Sequence, residues 1–116
     1  MKLSEVRRYA MALPEVTEEP HHESTSFRVR GKIFVTVPPK VDCIHVFVNE
    51  TAREQAIALY PSFVEKLFWG GKVWGIRIIL GAATPIVVKG FIRSAWTTKA
   101  PKLLTASYKT EGDGEV

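Results

Sequence analysis

Ser24-Thr25-Ser26-Phe27-Arg28-Val29-Arg30-Gly31-Lys32-Ile33-Phe34-Val35-Thr36-Val37-Pro38-Pro39-Lys40-Val41 is the stretch that decides the fold. Phe27 and Val29 alternate with Arg28 and Arg30, so a strand here sets apolar groups on one side and guanidinium groups on the other. Gly31 breaks the run, as a tight hairpin requires a residue at ease with positive φ. Ile33, Val35 and Val37 resume the alternation. Pro38-Pro39 ends it, because proline has no backbone donor for a ladder. The reading is a β-hairpin with an apolar underside and a basic tip. Its four cations (Arg28, Arg30, Lys32, Lys40) are accompanied by no acid.

Before the hairpin, Leu3, Val6, Tyr9, Ala10 and Leu13 recur at helical steps, with Ser4 as the expected N-cap and Pro14 as the stop. Glu15 to Glu23 is acidic and contains Pro20, and it reads as a loop. His21 and His22 lie there beside Glu18, Glu19 and Glu23. Imidazole and carboxylate together can hold a divalent ion, but no metal-ligand spacing is present, so no metal is expected.

After the hairpin, Val41 to Val48 reads as a third strand, with Cys43, His45 and Phe47 on one face. His45 is expected to be a sheet histidine and Cys43 a buried, inert thiol. Asn49 or Thr51 caps a helix carrying Ala52, Ala56 and Leu59, closed by Pro61. Phe63–Phe68 and Lys72–Leu80 flank Trp69-Gly70-Gly71 and form a second hairpin. Trp74, Ile76, Ile78 and Leu80 are expected to share a face, with Arg77 opposite. Thr84-Pro85 opens a last helix with a Val88, Phe91, Ile92, Ala95, Trp96 stripe. The β-branched Ile86-Val87-Val88 run makes a strand its competitor. Lys102 to Tyr108 reads as a short helical turn and residues 110–116 as a flexible tail.

A chain of 116 residues, 46% apolar and 24% charged, is a single domain over 1–116 with an adequate core. It lacks a membrane-length apolar run and a signal-peptide pattern, so neither membrane nor export is expected. One cysteine fits a reducing cytoplasm. The net charge of +4 is unevenly spread. Residues 24–41 carry four cations and no acid, and residues 65–99 six cations and one acid, while the other segments are net acidic. Two basic segments in the two hairpins point to a polyanion partner.

Ala12-Leu13-Pro14-Glu15-Val16, then Phe27-Arg28-Val29-Arg30-Gly31-Lys32-Ile33-Phe34, then Ser94-Ala95-Trp96 with Ala100-Pro101-Lys102-Leu103-Leu104 and Tyr108, form an ordered set of motifs. In these the chain resembles the MmcQ/YjbR-like proteins over nearly its whole length. It departs from them at His21-His22-Glu23-Ser24, where a Ser-Tyr-Gly-like or Trp-Gly-His-like run is usual. The resemblance implies an α+β fold, the DNA-binding "double wing" related to the CyaY-like arrangement. The expected architecture is two-layered: a mainly antiparallel five-stranded sheet packed against helices, in the order α-β-β-β-α-β-β-α.

The expected function is nucleic-acid binding, with the hairpins as wings. The expected phosphate contacts are Arg28, Arg30, Lys32, Lys66, Lys72, Arg77, Arg93 and Lys99, and five such contacts give a log–log salt slope of about −4 to −5. Trp69 at the second turn either stacks on a base or packs locally. The alternative is a non-catalytic protein-interaction or small-ligand module. No nucleophile–base pair or carboxylate pair stands out, so neither an enzyme nor a cofactor is expected. A monomer is favoured.

Overall fold

The structure, a computed structural model, describes the backbone of residues 1–113 and the side chains of 1–68 and 70–108. Among these residues the elements run α1 (Leu3–Ala12), β1 (Val16–His21), β2 (Ser24–Val29), β3 (Lys32–Val37), β4 (Cys43–Val46), α2 (Glu50–Leu59), β5 (Val64–Trp69), β6 (Lys72–Ile79), a 3-10 turn (Leu80–Ala82), α3 (Pro85–Lys99) and α4 (Lys102–Asp113). The α+β class is as expected. The sheet has six strands, not five, in the order β1-β2-β3-β4-β6-β5, and every neighbouring pair is antiparallel.

The added strand is β1, in the segment read as a loop. Only Val16 of it is buried, so no apolar alternation announces it. It pairs in full with β2 from Val16↔Val29 to His21↔Ser24. Pro20 is tolerated because β1 is an edge strand, where a missing donor costs no ladder bond. The last helix is also longer than expected. Tyr108 meets Trp96 edge-on at 5.1 Å, which folds α4 back onto α3. The expected tail is helical as far as Asp113, and 114–116 lie outside the described residues. Ser4 is not a cap. The helix begins one residue earlier, and the Glu5 carboxylate accepts from the Lys2 amide at 3.3 Å. Asn49 is the cap of α2, its Oδ1 accepting from the Ala52 amide at 2.9 Å.

The core lies on one face of the sheet. Phe27, Val29, Val35, Ile44, Val46, Ile76 and Ile78 pack there against Val6 and Ala10 of α1, Ala56 of α2, and Val88, Ile92, Ala95 and Trp96 of α3. That burial holds 86–88 in a helix despite its β-branched run, since tertiary packing outweighs weak propensity. Among the described residues the opposite face carries no helix. On it the register aligns Glu19, Ser26, Thr36, His45, Arg77 and Glu65, each the cross-strand partner of the next, in one polar row spanning all six strands.

Candidate functional site

The two long hairpins are built alike. In each, two residues join the strands, and both have positive φ: Arg30 (48°) and Gly31 (81°) in one, Gly70 (60°) and Gly71 (77°) in the other. That is the type I′ geometry, whose twist matches the strands it joins. Each second strand opens with a lysine, Lys32 or Lys72, paired with the last residue of the first strand. Each then bulges at an aromatic residue, because the register skips Phe34 in one and Trp74 in the other. The bulge displaces Trp74 from the stripe expected with Ile76 and leaves it exposed.

Strand directions alternate across the sheet, so β2 and β5 run the same way and β3 and β6 return together. Both turns therefore emerge at one end of the sheet. Three strand spacings separate them, about 14 Å. The carboxyl end of α3 comes to the same end, because Trp96 Nε1 donates to the Pro14 carbonyl at 3.1 Å, just ahead of β1.

The eight expected contacts fall into three groups. Arg30, Lys32, Lys72 and Lys99 gather at the tip end. Lys32 and Lys72 are exposed, and Lys72 lies 5.7 Å from the Trp74 ring centroid. Among the described residues no carboxylate is within ion-pair distance of either lysine. Arg30 is engaged differently. Its Nε and Nη2 donate to the two Glu15 oxygens at 2.8 and 3.0 Å. That hydrogen bond holds the Glu15 carboxyl below its ordinary range. Glu15 is the residue at the tip end that the sequence reading missed, since its pairing depends on β1 being a strand. The exposed pair contributes modestly above the unfolded-state pKa of Glu15, and that contribution is lost as pH falls through the lowered folded value.

Arg28 and Arg77 form the second group, on the helix-free face. Arg28 Nε donates to Ser26 Oγ at 2.9 Å and its Nη2 to the Pro20 carbonyl at 3.2 Å. Arg77 lies 3.6 Å from Glu65, within ion-pair range but too long for a hydrogen bond. Lys66 and Arg93 belong to neither site. Lys66 pairs in register with core-facing Ile76 in mid-strand. The Glu54 carboxyl of α2 is held low by the Arg53 hydrogen bond and, further, by the charge of Lys66. Arg93 lies on the helix layer, 6.0 Å from the Tyr108 ring.

His21 and His22 meet edge-on at 4.6 Å in the β1–β2 turn, at the sheet end away from the tips. Among the described residues no three His, Cys, Asp or Glu side chains converge as a metal site would require. No described helix is long and apolar enough to cross a membrane. The Trp69 side chain, with its expected stacking role, lies outside the described residues.

No curated protein matches this sequence. The fold is similar to that of the Deinococcus radiodurans protein DR2400, a DUF419-domain protein known from a crystal structure. The TM-score is 0.71 over 84% of this chain and 77% of that one, at 16% identity, a likeness of fold alone. The sequence model described as YjbR matches residues 11–98, a span running from the exit of α1 through both hairpins to the end of α3. With the first two motifs, both hairpins and α2 inside that match, the chain belongs to the YjbR family.

Proposed function

We propose that this protein is a binding module, without catalytic chemistry, that holds the phosphate backbone of DNA between its two hairpin tips. The observation that carries the reading is the pair of equivalent turns at one sheet end, each followed by an exposed lysine. Their spacing of about 14 Å is on the scale of the B-DNA major groove, about 12 Å wide, so each tip can reach one phosphate wall. An A-form duplex, with its deep and narrow major groove, suits that spacing less well. Contacts of this kind position the protein and carry no sequence information.

Lys32, Lys72 and Lys99 as three phosphate contacts give a log–log salt slope of about −3 on a short duplex. Lys32→Glu with Lys72→Glu is expected to flatten that slope to about −1 and weaken binding throughout the range from about 50 to 200 mM salt. Fluorescence anisotropy with a labelled duplex reads both. Absence of binding at about 50 mM salt, or an unchanged slope in the double variant, overturns the reading. Glu15→Gln tests the same edge from the opposite side. It releases Arg30 from its carboxylate, and the slope is expected to steepen by about one, with tighter binding at low salt.

A protein-interaction module is the second reading, and the second hairpin motivates it. Phe68 and Trp74 stand there 63% and 46% exposed, on one short ribbon. Recovery of a discrete protein partner free of DNA, with no duplex binding by the purified chain, would favour it.

A further inference from the structure

We propose that the helix-free face of the sheet carries a second binding site, centred on His45 and Arg77, that takes a phosphate oxyanion. It stands apart from the hairpin tips and does not depend on their role.

The site lies in the middle of the transverse polar row. Along that row Ser26 Oγ donates to the Glu19 carbonyl at 2.8 Å, and Arg28 donates to Ser26 at 2.9 Å. Thr36 Oγ1 and His45 Nδ1 are 3.4 Å apart. Two shielded nitrogens, His45 Nε2 and Arg77 Nε, have no hydrogen-bond partner. They belong to cross-strand partners, whose Cβ atoms sit about 5 Å apart. Unsatisfied shielded nitrogens are uncommon and costly in folded proteins, and two adjacent ones call for a shared acceptor.

The charges around the pair favour an anion. The cations of this face, Arg28 on β2 and Arg77 on β6, stand one strand inside the edges, and the acids Glu19 and Glu65 stand on the edge strands themselves. Glu65 Oε1 stands 3.6 Å from Arg77 Nε, in ion-pair range but beyond hydrogen-bond length, so the Nε hydrogen is left for a nearer acceptor. Burial, then the charge of Arg77, lowers the His45 pKa, so the ring is neutral at neutral pH. In the tautomer where the Thr36 hydroxyl donates to Nδ1, the ring hydrogen stands on Nε2 and faces the anion as a donor. Arg77 is 40% exposed as a side chain, so its guanidinium can lift and close again over a phosphate. A phosphate offers enough lone pairs to accept from the imidazole and from the guanidinium fork together.

The test is a titration of the full chain, labelled with nitrogen-15, followed on the His45 ring nitrogens and the Arg77 Nε–H group. Inorganic phosphate, a mononucleotide and a short duplex are added in turn against chloride of equal ionic strength. The expected result is a saturable shift at both groups that chloride does not produce. Arg77→Gln is expected to abolish it at His45. Should that variant fail to fold, Thr36→Val serves instead, and it is expected to weaken saturation by releasing the ring tautomer. The Lys32→Glu, Lys72→Glu variant separates this site from the tips. Phosphate or mononucleotide shifts retained in it assign a small phosphate ester as ligand. Shifts produced by duplex alone, and retained in that variant, assign the nucleic-acid backbone, whereas duplex shifts lost in it belong to the tips and overturn the proposal. Absence of a saturable shift with all three ligands, or full retention in Arg77→Gln, overturns the proposal.

Discussion

Trp96→Ala is expected to lower the unfolding free energy by about 3–5 kcal/mol, a large share of the total of about 5–15 kcal/mol for a domain of this kind. The indole is fully buried, the largest side chain in the core to be so. It performs three tasks at once. Its ring fills the space where α3 meets α1 and the sheet, and its edge receives the Tyr108 ring of α4 at 5.1 Å. Its Nε1 donates to the Pro14 carbonyl, which fixes the segment leading into β1. Truncation opens a cavity that rigid neighbours fill only in part, and it leaves that carbonyl without its donor. Trp96→Phe retains most of the volume and loses the hydrogen bond, so a smaller loss of about 1–2 kcal/mol is expected. Urea denaturation followed by far-ultraviolet circular dichroism measures both variants. A loss below about 1.5 kcal/mol for Trp96→Ala would show that the core closes without the indole.

Gly75→Ala is the second large effect, expected at about 3 kcal/mol of destabilisation. A Cβ at this position collides with the Val46 carbonyl oxygen and stands 3.0 Å from Phe47 Cα. Both are backbone atoms at the exit of β4, so no side chain can swing aside. The strands β4 and β6 must separate or shift, and with them the His45↔Arg77 pairing. The added methyl group itself is harmless elsewhere. Gly90 on α3 has open space around its Cβ position, so Gly90→Ala is expected to stabilise the fold by about 0.5–1 kcal/mol. Opposite signs for one chemical change, read as thermal midpoints of the two variants, test whether close backbone approach is the cause. Equal midpoints for Gly75→Ala and the parent would refute it.

How far the candidate sites were legible depends on how local their causes are. Lys32 and Lys72 were readable as tip residues, because each follows a glycine turn flanked by apolar alternation. Arg28 and Arg77 were readable as facing away from the core, because alternation assigns a side of the strand. Their partners on neighbouring strands were not, since Pro20 and Glu65 reach them only through register. Arg30 looked like a free cation until β1 placed Glu15 against it. The strand β1 itself was hidden for a physical reason. An edge strand with one buried residue leaves no apolar period, and Pro20 resembles a breaker in any reading that does not know which strand lies at the edge.

The amino-acid sequence by itself determined the two hairpins, the core-facing stripes and the basic character of both turns. Positive φ at a turn and apolar alternation along a strand are properties of a few consecutive residues, and they act before any distant contact forms. Only the tertiary structure decided that the turns share one end of the sheet, that Arg30 is held by Glu15, and that a polar row crosses all six strands. Those features follow from strand order and register, which are set when segments far apart in the chain bury their apolar faces against the same helices.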